Sequence, residues 1–159
     1  MKKWFGLALI VSTAMIGCLK NDEVKPCTPK TVESEKAAMT KFATDSSITT
    51  MTDPSGLMYE IISPGTGATP LANSNVTAKY VGRFLNGKGF DSSYVRDPGG
   101  TAFPLNGVIT GWQIGIPKIK EGGKIKLIVP SSLAYGCDIR YGQMANQPLY
   151  FYVELVKVQ

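Results

Sequence analysis

The sequence predicts an α+β domain, and three observations carry that prediction. Runs rich in β-branched and aromatic residues recur as "NVTAKYVGRFL", "GGKIKLIVP" and "PLYFYVELVKV", which is the composition of strands. Between them the chain offers one short helix, around Trp112, because Gly115 and Pro117 stop it. Finally, 17 Gly and 10 Pro punctuate 159 residues with turns, while 43% hydrophobic and 18% charged residues match a globular chain with a core. That length holds one such core plus extensions.

Taken in order, "MKK" and the apolar run "WFGLALIVSTAMIG" form a charged start and a stretch too short to span a bilayer core of about 30 Å. Residues 1–17 are therefore expected to be a leader peptide. Its end, "MIGC" at Met15–Cys18, resembles the lipobox of bacterial lipoproteins, which implies cleavage before Cys18, lipidation of its thiol and tethering at an envelope membrane. The polar, Pro-bearing residues 18–30 read as a flexible tether. Their "LKNDE" is similar to the surface-export tag of some lipoproteins, which implies the outer membrane.

"TVESEKAAMTKFATD" places apolar Val32, Met39, Phe42 and Ala43 behind polar cap candidates, the pattern of a short amphipathic helix within an extension over 31–54. A strand follows at Ser55–Ile62, and "SPGTGATP" breaks the chain. "GTGATP" is not a phosphate loop, since Pro70 and "LANSN" cannot open the helix that such a loop needs. "NVTAKYVGRFL" is a strand, and Asn86-Gly87 signals a type I′ hairpin that returns the chain into "KGFDSS". "YVRDPGGTA" reads as a loop, then come the Trp112 helix and two more strands. The body thus runs from 55 to 159.

Composition excludes several functions. The chain has no histidine, which removes imidazole bases and His-ligated metals. Cys18, Cys27 and Cys137 lack the spacing of a zinc ribbon, so no metal is expected. With Cys18 lipidated, Cys27 and Cys137 remain in an oxidising compartment either as a disulfide or as two thiols, and sequence does not fix their distance. The net charge of +5 includes Lys2 and Lys3 of the leader, and the "KIKEGGKIK" cluster reads as a solvated face, so no nucleic-acid partner is expected. "GFDSSY" leaves Asp91 as either a turn cap or a site residue.

In their order, "YVGRFLNGKGFDSS", "VITGW", "GGKIKLIVPSSLAYG" and "PLYFYVEL" resemble the FKBP-type peptidyl-prolyl cis-trans isomerases. The resemblance implies an antiparallel sheet wrapped around one short helix, here preceded by the N-terminal helix. It implies catalytic roles for Asp91 and Tyr135 and a substrate pocket of Tyr80, Phe90, Val108, Ile109, Trp112 and Phe151. In that pattern Trp112 is the floor, while the Tyr135 hydroxyl and the Ile109 N–H donate to ligand carbonyls. Asp91 is expected to accept from the Tyr135 hydroxyl or to polarise the pocket toward the amide. Partners would be proline-containing polypeptides, no cofactor is required, and a monomer is favoured. Holding proline segments without catalysis is the alternative role.

Two departures bear on catalytic strength. Thr101 stands where many strong members carry a further aromatic, and Gln143 and Met144 stand where an aliphatic rim is usual. A more polar rim is expected to weaken the grip on proline by about 1–2 kcal/mol, and macrolide binding is less expected than activity.

Overall fold

The computed structural model describes residues 27–159, so the leader, Cys18 and most of the tether lie outside the described residues. Helix α1 spans Val32–Asp45, and the Thr31 side chain caps it by accepting from the Ser34 amide. The strands are β1 (Met51–Thr52), β2 (Met58–Ser63), β3 (Asn75–Phe84), β4 (Gly89–Ser92), β5 (Thr101–Pro104), β6 (Lys124–Val129) and β7 (Leu149–Val158). Between β4 and β5 lies a one-turn helix, α2 (Ser93–Arg96), and between β5 and β6 lies α3 (Thr110–Gly115). The fold is α+β, as expected.

All pairings are antiparallel, in the order β1-β2-β6-β7-β3-β4, with β5 also on β3. Strand β3 keeps β7 along one edge and shares its other edge, with β5 beside Asn75–Ala78 and β4 beside Val81–Arg83. Tyr80 sits in the gap between those partners. Its N–H, with no strand to pair with, donates to the buried Ser93 hydroxyl at 2.8 Å.

Side chains alternate across a strand, so a sheet covered on both faces needs apolar residues at consecutive positions. Strand β6 shows this in "LIV". Leu127 and Val129 join the main core with Trp112, Ile116, Phe151 and Val153, whereas Ile128 faces the other way. There it meets Met58 and Tyr150, its partners across the sheet, and α1 covers all three with Met39, Phe42 and Ala43. Helix α3 lies close on the main face, because Gly111 and Gly115 bring its backbone onto β6. A Cβ there would come within 2.4 Å of Val129 and 2.6 Å of Leu127.

An ion pair fastens the β1–β2 turn to the end of the α3 segment, with Lys118 Nζ 2.7 Å from Asp53 and 4.7 Å from the centre of the Tyr59 ring. Hydrogen bonds from Lys118 and from Ser55 hold the Asp53 carboxyl down at about 2.

Three expectations are corrected. The β3–β4 hairpin is not type I′, which needs positive φ at both central residues. Asn86 keeps negative φ, and Leu85–Gly87 form a three-residue loop in which Gly87 alone is left-handed, closed by Phe84 N–H to Lys88. Short strand β1, set by its partner β2, falls inside the expected helical extension, and β5, set by β3, begins in the expected loop. The tether is fixed at its end, since Cys27 is disulfide-bonded to Cys137 and the Asn146 side chain bonds Thr28 and Lys30.

Candidate active site

Beside Trp112 the sheet opens into a cleft of about 550 Å³. Tyr80, Phe90, Asp91, Val108, Ile109, Trp112, Tyr135 and Phe151 all line it, joined by Thr101, Phe103 and Tyr141. They come from β3, β4, β5, β7, α3 with the residues leading into it, and the segment after β6.

Trp112 is the hub of the floor. Only 5% exposed, its ring lies 5.1 Å from Tyr80 and 5.3 Å from Phe151, both nearly edge-on, and 5.5 Å from Phe103. Such edge-to-face contacts match the positive ring edge to the negative face. Phe90 completes the wall at 5.6 Å from Phe151. This wall depends on Gly82, where a Cβ would lie 2.7 Å from the Phe90 ring and 3.1 Å from Phe151.

Consecutive residues of a flat strand face opposite ways, yet Phe90 and Asp91 both line the cleft. A β-bulge reconciles them. Gly82 pairs with Asp91 while Arg83 pairs with Gly89, which leaves Phe90 as the extra residue and re-aims its ring.

The expected bond between Asp91 and Tyr135 is absent. Asp91 instead accepts from the Tyr80 hydroxyl at 2.6 Å and from Arg96 Nη1 at 2.8 Å, and Arg96 Nη2 donates to the same Tyr80 oxygen at 2.8 Å. The register explains this, because Tyr80 is two residues from Gly82, the partner of Asp91, on the same face of β3. Burial pushes the Asp91 carboxyl up, but the bonds from Tyr80 and Arg96 outweigh it and hold the group below the usual carboxylate range. Burial raises both Tyr80 and Tyr135, reinforced by the nearby Asp91 charge. Asp91 is thus an anion among neutral phenols. Tyr135 stacks on Tyr141, ring centres 4.4 Å apart.

Gln143 and Met144 do not form the rim of this cleft. Gln143 lines a separate cleft of about 530 Å³ with Lys30, Glu35, Phe84, Leu85 and Gln147, and Met144 packs against the main core. Tyr141 holds the rim position instead, so the polar departure is confined to Thr101, whose hydroxyl is buried without a partner among the described residues. Arg96, Gly82 and Tyr141 were missed in the sequence. Only Gly82 carried a signal there, as a glycine inside an otherwise strong strand.

Residues 67–156 match the FKBP-type peptidyl-prolyl cis-trans isomerase family. The chain is 42% identical over 120 residues to the isomerase FkpA of Escherichia coli, covering 75% of this chain and 43% of that protein. It is also 42% identical over 105 residues to the isomerase Mip of Coxiella burnetii, covering 65% of this chain and 45% of that one. The chain therefore spans less than half the length of these two curated relatives. Among solved structures, FkpA from Escherichia coli superposes with a TM-score of 0.70 at 37% identity, covering 80% of this chain and 61% of that one. A peptidyl-prolyl isomerase from Pseudomonas syringae pv. tomato gives 0.66 at 32% identity, covering 83% and 98%. On its matching residues, its sheet and its aromatic cleft, the chain belongs to the FKBP-type peptidyl-prolyl cis-trans isomerase family.

Proposed function

We propose that the chain is a peptidyl-prolyl cis-trans isomerase acting on Xaa-Pro bonds of exported or envelope polypeptides. The observation that carries this reading is the convergence of Tyr80, Phe90, Trp112 and Phe151 with Asp91 and Tyr135 on one cleft. Rotation about the bond crosses a barrier of about 18–20 kcal/mol by breaking amide conjugation. A catalyst has to bind the twisted amide better than the planar forms, and the twisted amide, having lost its charge separation, tolerates an apolar wall better. Phe90, Trp112 and Phe151 supply that wall and exclude water from it. The Tyr135 hydroxyl and the Ile109 N–H orient the carbonyls of the bound peptide. Asp91, held by Tyr80 and Arg96, is a fixed charge beside the amide, and no proton is transferred.

The test follows cis-to-trans relaxation of a proline tetrapeptide with the mature chain carrying Cys18→Ala. Relaxation is expected to exceed the rate in buffer at micromolar protein, and to stay flat from about pH 5 to 9, where neither a lowered carboxylate nor a raised phenol titrates. A rate equal to that in buffer overturns the isomerase reading, and peptide binding without acceleration makes the chain a proline-segment binding module. A break in rate inside that window overturns the proton-free mechanism.

The same reading divides the chain into a leader (1–17), a tether (18–30), a helical extension (31–54) and the isomerase domain (55–159). It places the protein at the outer membrane of a bacterial envelope through lipid on Cys18, which the charged start and "MIGC" support. With native Cys18 the protein is expected in the membrane fraction, and with Cys18→Ala in the soluble one. Equal partition of the two would sink the anchor.

A further inference from the structure

The segment that brings Ala134, Tyr135 and Tyr141 to the cleft is held from behind by residues far away in sequence. Glu35 on α1 is 3% exposed, and its Oε2 accepts the Ser131 N–H at 2.8 Å, across 96 positions. Ser131, itself buried, opens the turn that follows β6. Its carbonyl accepts from Ala134 N–H at 3.1 Å and from Gly136 N–H at 2.8 Å, the two residues flanking Tyr135. The Ser131 peptide is thus a node, with Glu35 on one side and the Tyr135 turn on the other.

Two more ties join the same segments. Cys27 is bonded to Cys137, and Asn146 accepts from Lys30 N–H at 3.1 Å and donates to the Thr28 carbonyl at 2.9 Å. Asn146 also donates its backbone N–H to Gly136. The stretch 27–35 therefore grips the loop on both sides of Tyr141. The second oxygen of Glu35 is buried with no partner among the described residues, an arrangement that costs free energy.

We propose that Glu35 is a positioning residue of the isomerase site, acting through Ser131 to set Tyr135 in the cleft, with the N-terminal arm as its brace. This rests on the isomerase reading for its effect on turnover, but its effect on loop order stands apart from it. Misplacing a substrate-orienting group by about 1 Å costs up to about 100-fold.

The experiment compares the mature chain with Glu35→Ala and Glu35→Gln by tetrapeptide turnover and by amide hydrogen exchange. Glu35→Ala is expected to lower kcat/KM about tenfold, and to speed exchange at Ala134 and Gly136 while β3 and β7 keep their protection. Glu35→Gln retains an acceptor for Ser131 and is expected to stay within about twofold of the wild type. If Glu35→Ala does not fold, Glu35→Leu fills a similar volume without offering Ser131 an acceptor, and the same loosening is expected. Unchanged loop exchange in the variant, protection lost evenly across the sheet, or Glu35→Gln as damaged as Glu35→Ala would overturn the proposal. A wild type without turnover defeats the isomerase reading alone, and loop exchange then decides the positioning role.

Discussion

Replacing Trp112 by alanine is expected to abolish tetrapeptide turnover and to lower the stability of the domain by about 3–5 kcal/mol. Both effects follow from one placement. The indole is the floor of the cleft, and its other contacts belong to the main core with Leu127, Val129 and Phe151. Removing it takes away the surface against which a proline ring would lie, and frees Tyr80, Phe103 and Phe151, which hold their positions by packing on it. Domains of this kind have about 5–15 kcal/mol in hand, so the variant should remain folded at low temperature without denaturant. Turnover measured there, beside a urea titration, separates the two losses. A folded Trp112→Ala protein with wild-type turnover would remove the cleft from the reaction.

Opening the Cys27–Cys137 disulfide is the second large effect. The bond joins residues 110 positions apart, so in the unfolded chain it closes a loop that takes in nearly the whole domain. Restricting so long a loop contributes about 2–5 kcal/mol, chiefly by limiting the unfolded ensemble. In the folded state the same bond anchors Cys27 to the loop that carries Tyr135 and Tyr141. Cys27→Ser with Cys137→Ser is expected to lower the urea midpoint by a corresponding amount, and reductant should lower the wild type to the same value. Identical midpoints for wild type and variant, with and without reductant, would show that the bond contributes nothing. A midpoint that falls with reductant in the double variant as well would point to a cause other than this pair.

Much of the fold was legible in sequence because its causes are local. Periodicity and β-branched content marked β3, β6 and β7, and polar cap candidates ahead of an apolar stripe marked α1, among them Thr31, the cap the structure uses. The strands β1 and β5 were not legible, since each is two to four residues long and exists through its partner. The cleft residues that sit in the collinear motifs were legible through them, whereas Thr101 and Phe103 lie outside those motifs. Arg96 and Tyr141 lie outside those motifs, and nothing near them in sequence indicates that they reach the cleft.

"GFDSSY" shows where the two kinds of information divide. Local pattern alone foretold a strand returning here with an aromatic and a carboxylate side by side, and the absence of histidine rules out imidazole chemistry by this chain. Whether Phe90 and Asp91 share a face was decided by the bulge against β3, and the partner of Asp91 was decided by Tyr80 and Arg96 meeting there. The grip of Glu35 on Ser131 and the pairing of Cys27 with Cys137 were likewise tertiary outcomes. The division follows from how far along the chain each interaction reaches. Side-chain periodicity and turn preference act within one element, whereas the register of β4 on β3 is fixed only when the two strands pair, and the Glu35–Ser131 and Cys27–Cys137 ties, across 96 and 110 positions, only when distant segments bury their surfaces together.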